Sequence, residues 1–215
     1  MLARAFLTGA TGTVGREVCA ALLTRGAEVR VGARASSPVE LRAWHRKIDD
    51  AVRKSGATWT ILRPCSFFQN FIRYQADTIR NMSSIIVPQG DGLISYIDAL
   101  DIGEAAAPCL LHPEAHHQRT YVLTGGRAYG AKGVAAEIGR VLGKPVTYIN
   151  IEEEQARDMM LQMGTPPWLV EAGLAVFAHA KVGGEAAVDP ALTQIIERPA
   201  TSLSEFVERN SDAWA

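Results

Sequence analysis

The chain has 215 residues, with 22 lysines and arginines against 23 aspartates and glutamates and a formal charge of −1. At about 100–200 residues per domain, with 47% apolar and 21% charged residues, it reads as one globular domain with a buried core, or one with a small appendage. The near-zero charge gives no support for binding nucleic-acid phosphates, and no apolar run approaches the roughly 20 residues that span a bilayer.

Ala3–Thr8 is a short apolar run ended by glycine and predicts a buried parallel strand. Val14, Val18 and Leu22 then recur at helical spacing over Thr13–Arg25, with Gly26 as the stop. Glu28–Ala33 predicts a second strand. Val39–Ser55 predicts a helix with Leu41, Trp44, Ile48 and Val52 on one side, and Thr58–Leu62 a third strand stopped by Arg63-Pro64. Farther on, Leu93–Ile97 is strand-like, and Asp101 stands where an N-cap is needed for a helix over Ile102–Leu111. Tyr121–Thr124 and Val146–Ile151 predict strands. Helices are expected over Lys132–Leu142, Glu152–Met163 and Pro167–Ala180, then a last one opened by the capping box Ser202-x-x-Glu205. Alternating strands and helices predict an α/β fold: a Rossmann-type parallel sheet with helices on both faces. The expected division is a dinucleotide-binding part over residues 1–125 and a small, mostly helical C-terminal lobe over 126–215.

Between the first strand and helix lies Thr8-Gly9-Ala10-Thr11-Gly12-Thr13-Val14-Gly15, glycines at G-x-x-G-x-x-G spacing. Gly9 allows a tight turn, Gly12 lets backbone approach a pyrophosphate, and Gly15 permits close helix–sheet contact. Amide groups and the dipole at the helix start then hold the phosphates. A glycine-rich corner can be purely structural, but its place between strand and helix favours dinucleotide binding. An NAD site usually carries Asp or Glu at the end of the second strand. Here that place holds Arg34, whose guanidinium suits a 2′-phosphate. The cofactor expected is therefore NADP(H) in preference to NAD(H), the alternative being a solvent-facing arginine.

Short-chain reductases usually protonate with Tyr-x-x-x-Lys. None of Tyr74, Tyr96, Tyr121, Tyr129 and Tyr148 has a lysine four residues later, and Tyr129 comes nearest, with Lys132 three away. No G-x-S-x-G, H-E-x-x-H or GK[ST] pattern occurs. Cys19, Cys65 and Cys109 are too widely spaced for a disulfide framework or zinc knuckle and read as small buried hydrophobes. His112, His116 and His117 read as a solvated loop, and no metal site is expected. With Met1–Leu7 too short for a secretory leader, a cytoplasmic location is expected.

The glycine turn, Trp44-His45 to Asp49, SGATWTILRPCSFFQN (Ser55–Asn70), Tyr96-Ile97-Asp98, Asp101-Ile102-Gly103 and Tyr121–Gly125 together resemble the NmrA-like group of atypical short-chain dehydrogenase/reductases, which also covers the closing ERPATSLSEFVERN. That group includes NADPH-dependent quinone oxidoreductases, triphenylmethane reductases and catalytically silent NADP sensors. The resemblance implies that Gly9, Ala10, Thr11, Gly12, Thr13, Val14 and Gly15 hold the pyrophosphate and Arg34 the 2′-phosphate. Pro64 to Phe68 would pass beside the nicotinamide, with Phe67, Phe68 and Asn70 facing the substrate. His45 becomes a candidate proton donor or substrate contact, the alternative being helix packing. For one of Phe67 and Phe68 the alternative is core packing.

The implied activity is an NADPH-dependent oxidoreductase passing a hydride to a quinone-like or other conjugated small molecule. The alternative is a silent NADP(H) sensor acting through a protein partner, and a third reading is a decayed chain with a structural role only. The expected partner is a small-molecule electron acceptor, without nucleic acid or membrane, and a homodimer is left open. One departure stands out. The family continues after Arg34 with three strands and two helices, about 60–75 residues at typical lengths. Here Ala35-Ser36-Ser37-Pro38 leads directly into the later helix. A stretch near residues 34–38 is therefore expected to be lacking. In the order 3-2-1-4-5-6 that would leave a gap in the sheet.

Overall fold

The computed structural model describes residues 4–8, 13–25, 28–32, 49–54 and 56–215. The first strand, β1 (Arg4–Thr8), is followed by α1 (Thr13–Thr24) and then β2 (Glu28–Gly32). β1 and β2 pair in parallel with Arg4 opposite Glu28 and Thr8 opposite Gly32. A helical stretch over 49–54 precedes β3 (Thr60–Pro64). There follow α2 (Gln69–Met82), β4 (Ser84–Val87), α3 (Ala99–Leu111), the single turn α4 (Pro113–His116) and β5 (Arg119–Leu123). The chain continues with α5 (Ala131–Leu142), β6 (Thr147–Asn150), α6 (Glu153–Gln162), α7 (Pro167–Lys181), α8 (Ala191–Ile196) and α9 (Leu203–Arg209). Among the described residues the strands form three parallel pairs, β1–β2, β3–β5 and β4–β6. Parallel pairs separated by helices make this the expected α/β Rossmann-type architecture. Among the described residues no helix is long and apolar enough to cross a membrane.

Two compact units share the chain. The first takes Met1–Pro64, Ile97–Thr124 and Asp189–Ala200, and the second Cys65–Tyr96, Gly125–Val188 and Thr201–Ala215. The chain therefore changes unit five times, and the expected division at 125/126 falls one residue after the third of these changes. In the first unit Val18, Ala21 and Leu22 of α1 pack with Ala106 and Ala107 of α3, and Leu62 of β3 joins them. Small residues let these helices approach closely: a Cβ on Gly103 would lie 2.5 Å from the backbone of Glu17. The second unit is built around stacked rings. Phe68 lies 5.1 Å from Phe206 and 6.0 Å from Tyr96, centroid to centroid, and Phe71 sits edge-on to Tyr96 at 5.0 Å. Ile79, Ile85, Val134, Ile138 and the fully buried Trp214 fill the space around them.

Several expectations shift. The third strand runs over Thr60–Pro64 rather than Thr58–Leu62, so Arg63 and Pro64 belong to it. A proline is tolerated at the end of a strand, where its missing N–H removes least from the ladder. Leu93–Ile97 is not a strand. It makes a bridge at Ile94 with Tyr129, while Ser95 donates to the Glu185 carbonyl and accepts from Gly125. Asp101 is not the N-cap: α3 begins three residues earlier than expected, capped by Asp98, whose carboxylate accepts from the Leu100 N–H at 3.0 Å. Asp101 is instead buried in the first turn, 2.7 Å from Arg198. The Ser202–Glu205 capping box is present, as is the closure of α5 by Gly143 at φ 64°.

Candidate functional site

The first candidate region starts where β1 ends. Gly9, Ala10, Thr11 and Gly12 lie outside the described residues, as do Arg34 and His45. Thr13, Val14 and Gly15 form the opening of α1 and are half-buried. The first turn of α1 carries no carboxylate. Its unsatisfied amides and positive dipole end therefore face no competing anion on their own helix, which suits a phosphate group. A strand, a helix and a second strand parallel to the first form the opening unit of a dinucleotide fold, and the carboxylate-free start of α1 fits a nicotinamide dinucleotide. Pro64 closes β3 opposite Leu123. Beside it Arg63 pairs with Asp49 of the 49–54 helical stretch.

The second region, in the other unit, opens at Cys65. Phe67 and Asn70 are half-buried, and the Asn70 N–H donates to the Phe67 carbonyl at 3.1 Å as α2 begins. Phe68 is 1% exposed, with its ring held among Tyr96, Tyr129 and Phe206. In this structure it packs the core, the alternative raised for one of the two phenylalanines. The Cys65 thiol donates to the Ser95 carbonyl. Ser95 in turn donates through its N–H (2.9 Å) and Oγ (3.2 Å) to the carbonyl of Glu185. The Glu185 carboxylate stands 2.8 Å from Nδ1 of His179. A short hydrogen-bonded path thus joins residues far apart in sequence.

Electrostatics of this path are set by burial. Removal from water pushes the Cys65 thiol up to about 11, with the negative charge of Glu185 adding to the effect. Tyr96, fully buried, is raised far above the ordinary phenol range for the same reason, and its hydroxyl donates to Gln89 Oε1 at 3.1 Å. Neither group gives up a proton readily near neutral pH. Ser95, His179 and Glu185 were not among the residues expected from sequence, and no motif spacing connects them. Of the histidine cluster, His116 shares a hydrogen bond with the Tyr121 hydroxyl at 3.0 Å, and the Trp59 N–H donates to His117 Nδ1 at 3.4 Å. Among the described residues no three His, Cys, Asp or Glu side chains come together to hold a metal ion.

Comparison with known proteins gives this geometry a context. The chain is 34% identical over 184 residues to an NAD(P)H azoreductase of Xenophilus azovorans, a match covering 86% of this chain and 64% of the relative. It spans between 54% and 64% of the length of the first curated relatives it matches. Among solved structures it is similar to an NADPH-dependent quinone oxidoreductase from Escherichia coli. The TM-score there is 0.80 at 22% identity, covering 96% of this chain and 98% of that one. It is also similar to the Citrobacter sp. triphenylmethane reductase complexed with NADP(H), with a TM-score of 0.76 at 18% identity, covering 97% and 99% of the two chains. These likenesses support the Rossmann-type fold. The family model described as the NmrA-like family matches residues 36–207, and with four-fifths of its length so matched the chain belongs to the NmrA-like family.

Proposed function

We propose that this chain is an NADPH-dependent oxidoreductase that reduces a quinone-like, azo or other conjugated small molecule by hydride transfer. The observation that carries the reading is the β1–glycine turn–α1–β2 unit, followed by Arg34 where an NAD site has a carboxylate. Similarity to an NAD(P)H azoreductase adds to it, as does the shared fold with an NADPH-dependent quinone oxidoreductase. In this reading Gly9 through Gly15 hold the pyrophosphate and Arg34 binds the 2′-phosphate by a charge-assisted fork. Pro64 lies beside the nicotinamide, and Phe67 and Asn70 orient the acceptor. His45 remains a candidate contact to it. The dihydronicotinamide supplies the hydride, so the protein's share is orientation and exclusion of water.

The family segments expected between Arg34 and Val39 are proposed to be what this chain lacks, in keeping with its shorter span. The test is NADPH consumption against a panel of benzoquinones and azo dyes, with NADH in parallel. Turnover with NADPH, and a kcat/KM at least about tenfold lower with NADH, is the expected result. Tight binding of NADP(H) without turnover on any acceptor would replace this reading with the sensor. No cofactor binding at all would leave only a structural role.

A further inference from the structure

Helix α2 (Gln69–Met82) is fixed on one side and open on the other. Phe71, Gln75, Ala76 and Ile79 are buried at helical spacing, and the Gln75 Oε1 accepts the Ile86 N–H at 3.0 Å. The opposite face carries Asn70, Arg73, Tyr74 and Asp77, with Asn70 and Tyr74 half-buried and Arg73 and Asp77 exposed. Residues three and four apart are neighbours on a helix, so Arg73 and Tyr74 both adjoin Asn70. Helical side chains lean toward the N-terminus, which brings both back over the turn that Asn70 opens.

Two further observations give this patch a chemistry. The Arg73 guanidinium lies over the Tyr74 ring, 5.5 Å from its centroid and within cation–π range. Among the described residues no carboxylate pairs with Arg73, whereas Asp77, the acid one turn on, is held by Arg80 at 3.0 Å. The face thus presents an aromatic ring, an amide and one uncompensated positive charge, on a helix whose inner side is locked in the core. A guanidinium is weakly hydrated, stacks on flat rings and binds oxyanions through a fork of N–H donors.

We propose that Arg73 and Tyr74 set acceptor specificity. They select a planar aromatic acceptor that carries an anionic substituent, a sulfonate or carboxylate, with its ring against the stacked pair and its anion on the guanidinium N–H groups. The assignment rests on the reductase reading above, in which Asn70 orients the acceptor, and narrows the substrate class from a conjugated molecule to an anionic one.

A matched pair of acceptors isolates the charge. 1,4-Naphthoquinone and its 2-sulfonate are assayed with the full chain and NADPH, comparing wild type with Arg73→Gln, Arg73→Lys and Tyr74→Leu. A charge-assisted hydrogen bond is worth about tenfold or more in affinity. Wild type is expected to show a lower KM for the sulfonate than for its parent, and Arg73→Gln to raise the sulfonate KM at least about tenfold more than the parent KM. Arg73→Lys, which keeps the charge without the planar fork, should recover part of that loss, and Tyr74→Leu should raise both KM values. The preference should shrink as ionic strength rises. Equal effects of Arg73→Gln on the two acceptors, or none on either, overturn the proposal, as does a wild type with no preference for the sulfonate.

Equilibrium dialysis of 2-naphthalenesulfonate, an aromatic anion that is not a hydride acceptor, separates this inference from the reading beneath it. Binding by wild type that Arg73→Gln loses, with neither quinone reduced, removes the reductase and leaves the anion platform standing. Reduction of both quinones without such binding leaves the reductase and overturns the platform. Neither binding nor reduction removes both.

Discussion

Two thiols show how a single buried group shapes pH behaviour. Cys65 and Cys109 are each raised by burial from 9.0 to about 11. In the unfolded chain both lose their protons near pH 9, while the folded chain keeps them to about pH 11. Between those values the unfolded state binds fewer protons, so stability is full below pH 9 and falls as pH rises through the window. At 1.36 kcal/mol per unit the loss is about 3 kcal/mol per thiol at most. Urea midpoints at pH 8 and pH 10.5 should show the decline, and the double variant Cys65→Ala/Cys109→Ala should flatten it. Tyr96, raised in the same direction, leaves a residual slope above pH 10. The same scale explains Asp98 and Asp101, two motif residues with different tasks. One caps α3, and the other is buried against Arg198, a difference that three residues of helix register decide.

At the scale of elements, the α1–α3 contact is the place where sequence has least freedom. Gly103 is buried on α3, and an added Cβ would fall 2.5 Å from the Glu17 carbonyl carbon of α1, which is backbone and cannot rotate away. Gly103→Ala should therefore cost about 1–3 kcal/mol through overpacking. It should appear as a lower urea midpoint with an unchanged slope. Helix α2 teaches the opposite lesson about legibility. Its buried face carries Phe71, Ala76 and Ile79 at helical spacing, but also Gln75. That polar residue breaks the apolar pattern, and the reason is tertiary: its Oε1 accepts the Ile86 N–H at 3.0 Å. The strand expected over Leu93–Ile97 failed for a related cause. A run of β-branched and aromatic residues signals a strand only if a partner strand stands alongside, and here the backbone bonds go to Tyr129, Glu185 and Gly125.

For the whole molecule, ligand binding and folding are linked by mass action. A ligand that binds only the folded chain stabilises it by RT ln(1 + [L]/Kd), about 2.7 kcal/mol at a hundredfold excess over Kd. For a chain of this length that is a rise in Tm of roughly 5–10 °C. NADPH should produce such a rise and NADH a smaller one. Arg34→Asp should erase the difference, read by a thermal-shift titration. Retention of the NADPH preference in Arg34→Asp would remove Arg34 from the 2′-phosphate.

The sequence alone determined what local pattern can carry: the β1–glycine turn–α1–β2 unit, the family and the Ser202–Glu205 cap. The first and last depend on residues within a few turns of one another, and the family on an ordered series of such short motifs along the chain, so spacing and residue type suffice. It did not determine the role of Phe68, since the same aromatic can line a pocket or fill a core, and only neighbours such as Phe206 and Tyr96 decide. Nor did it reveal the path from Cys65 through Ser95 to Glu185 and His179. Those residues span more than a hundred positions, and no periodicity links them. Only the closing of the chain into its second unit brings their donors and acceptors within reach.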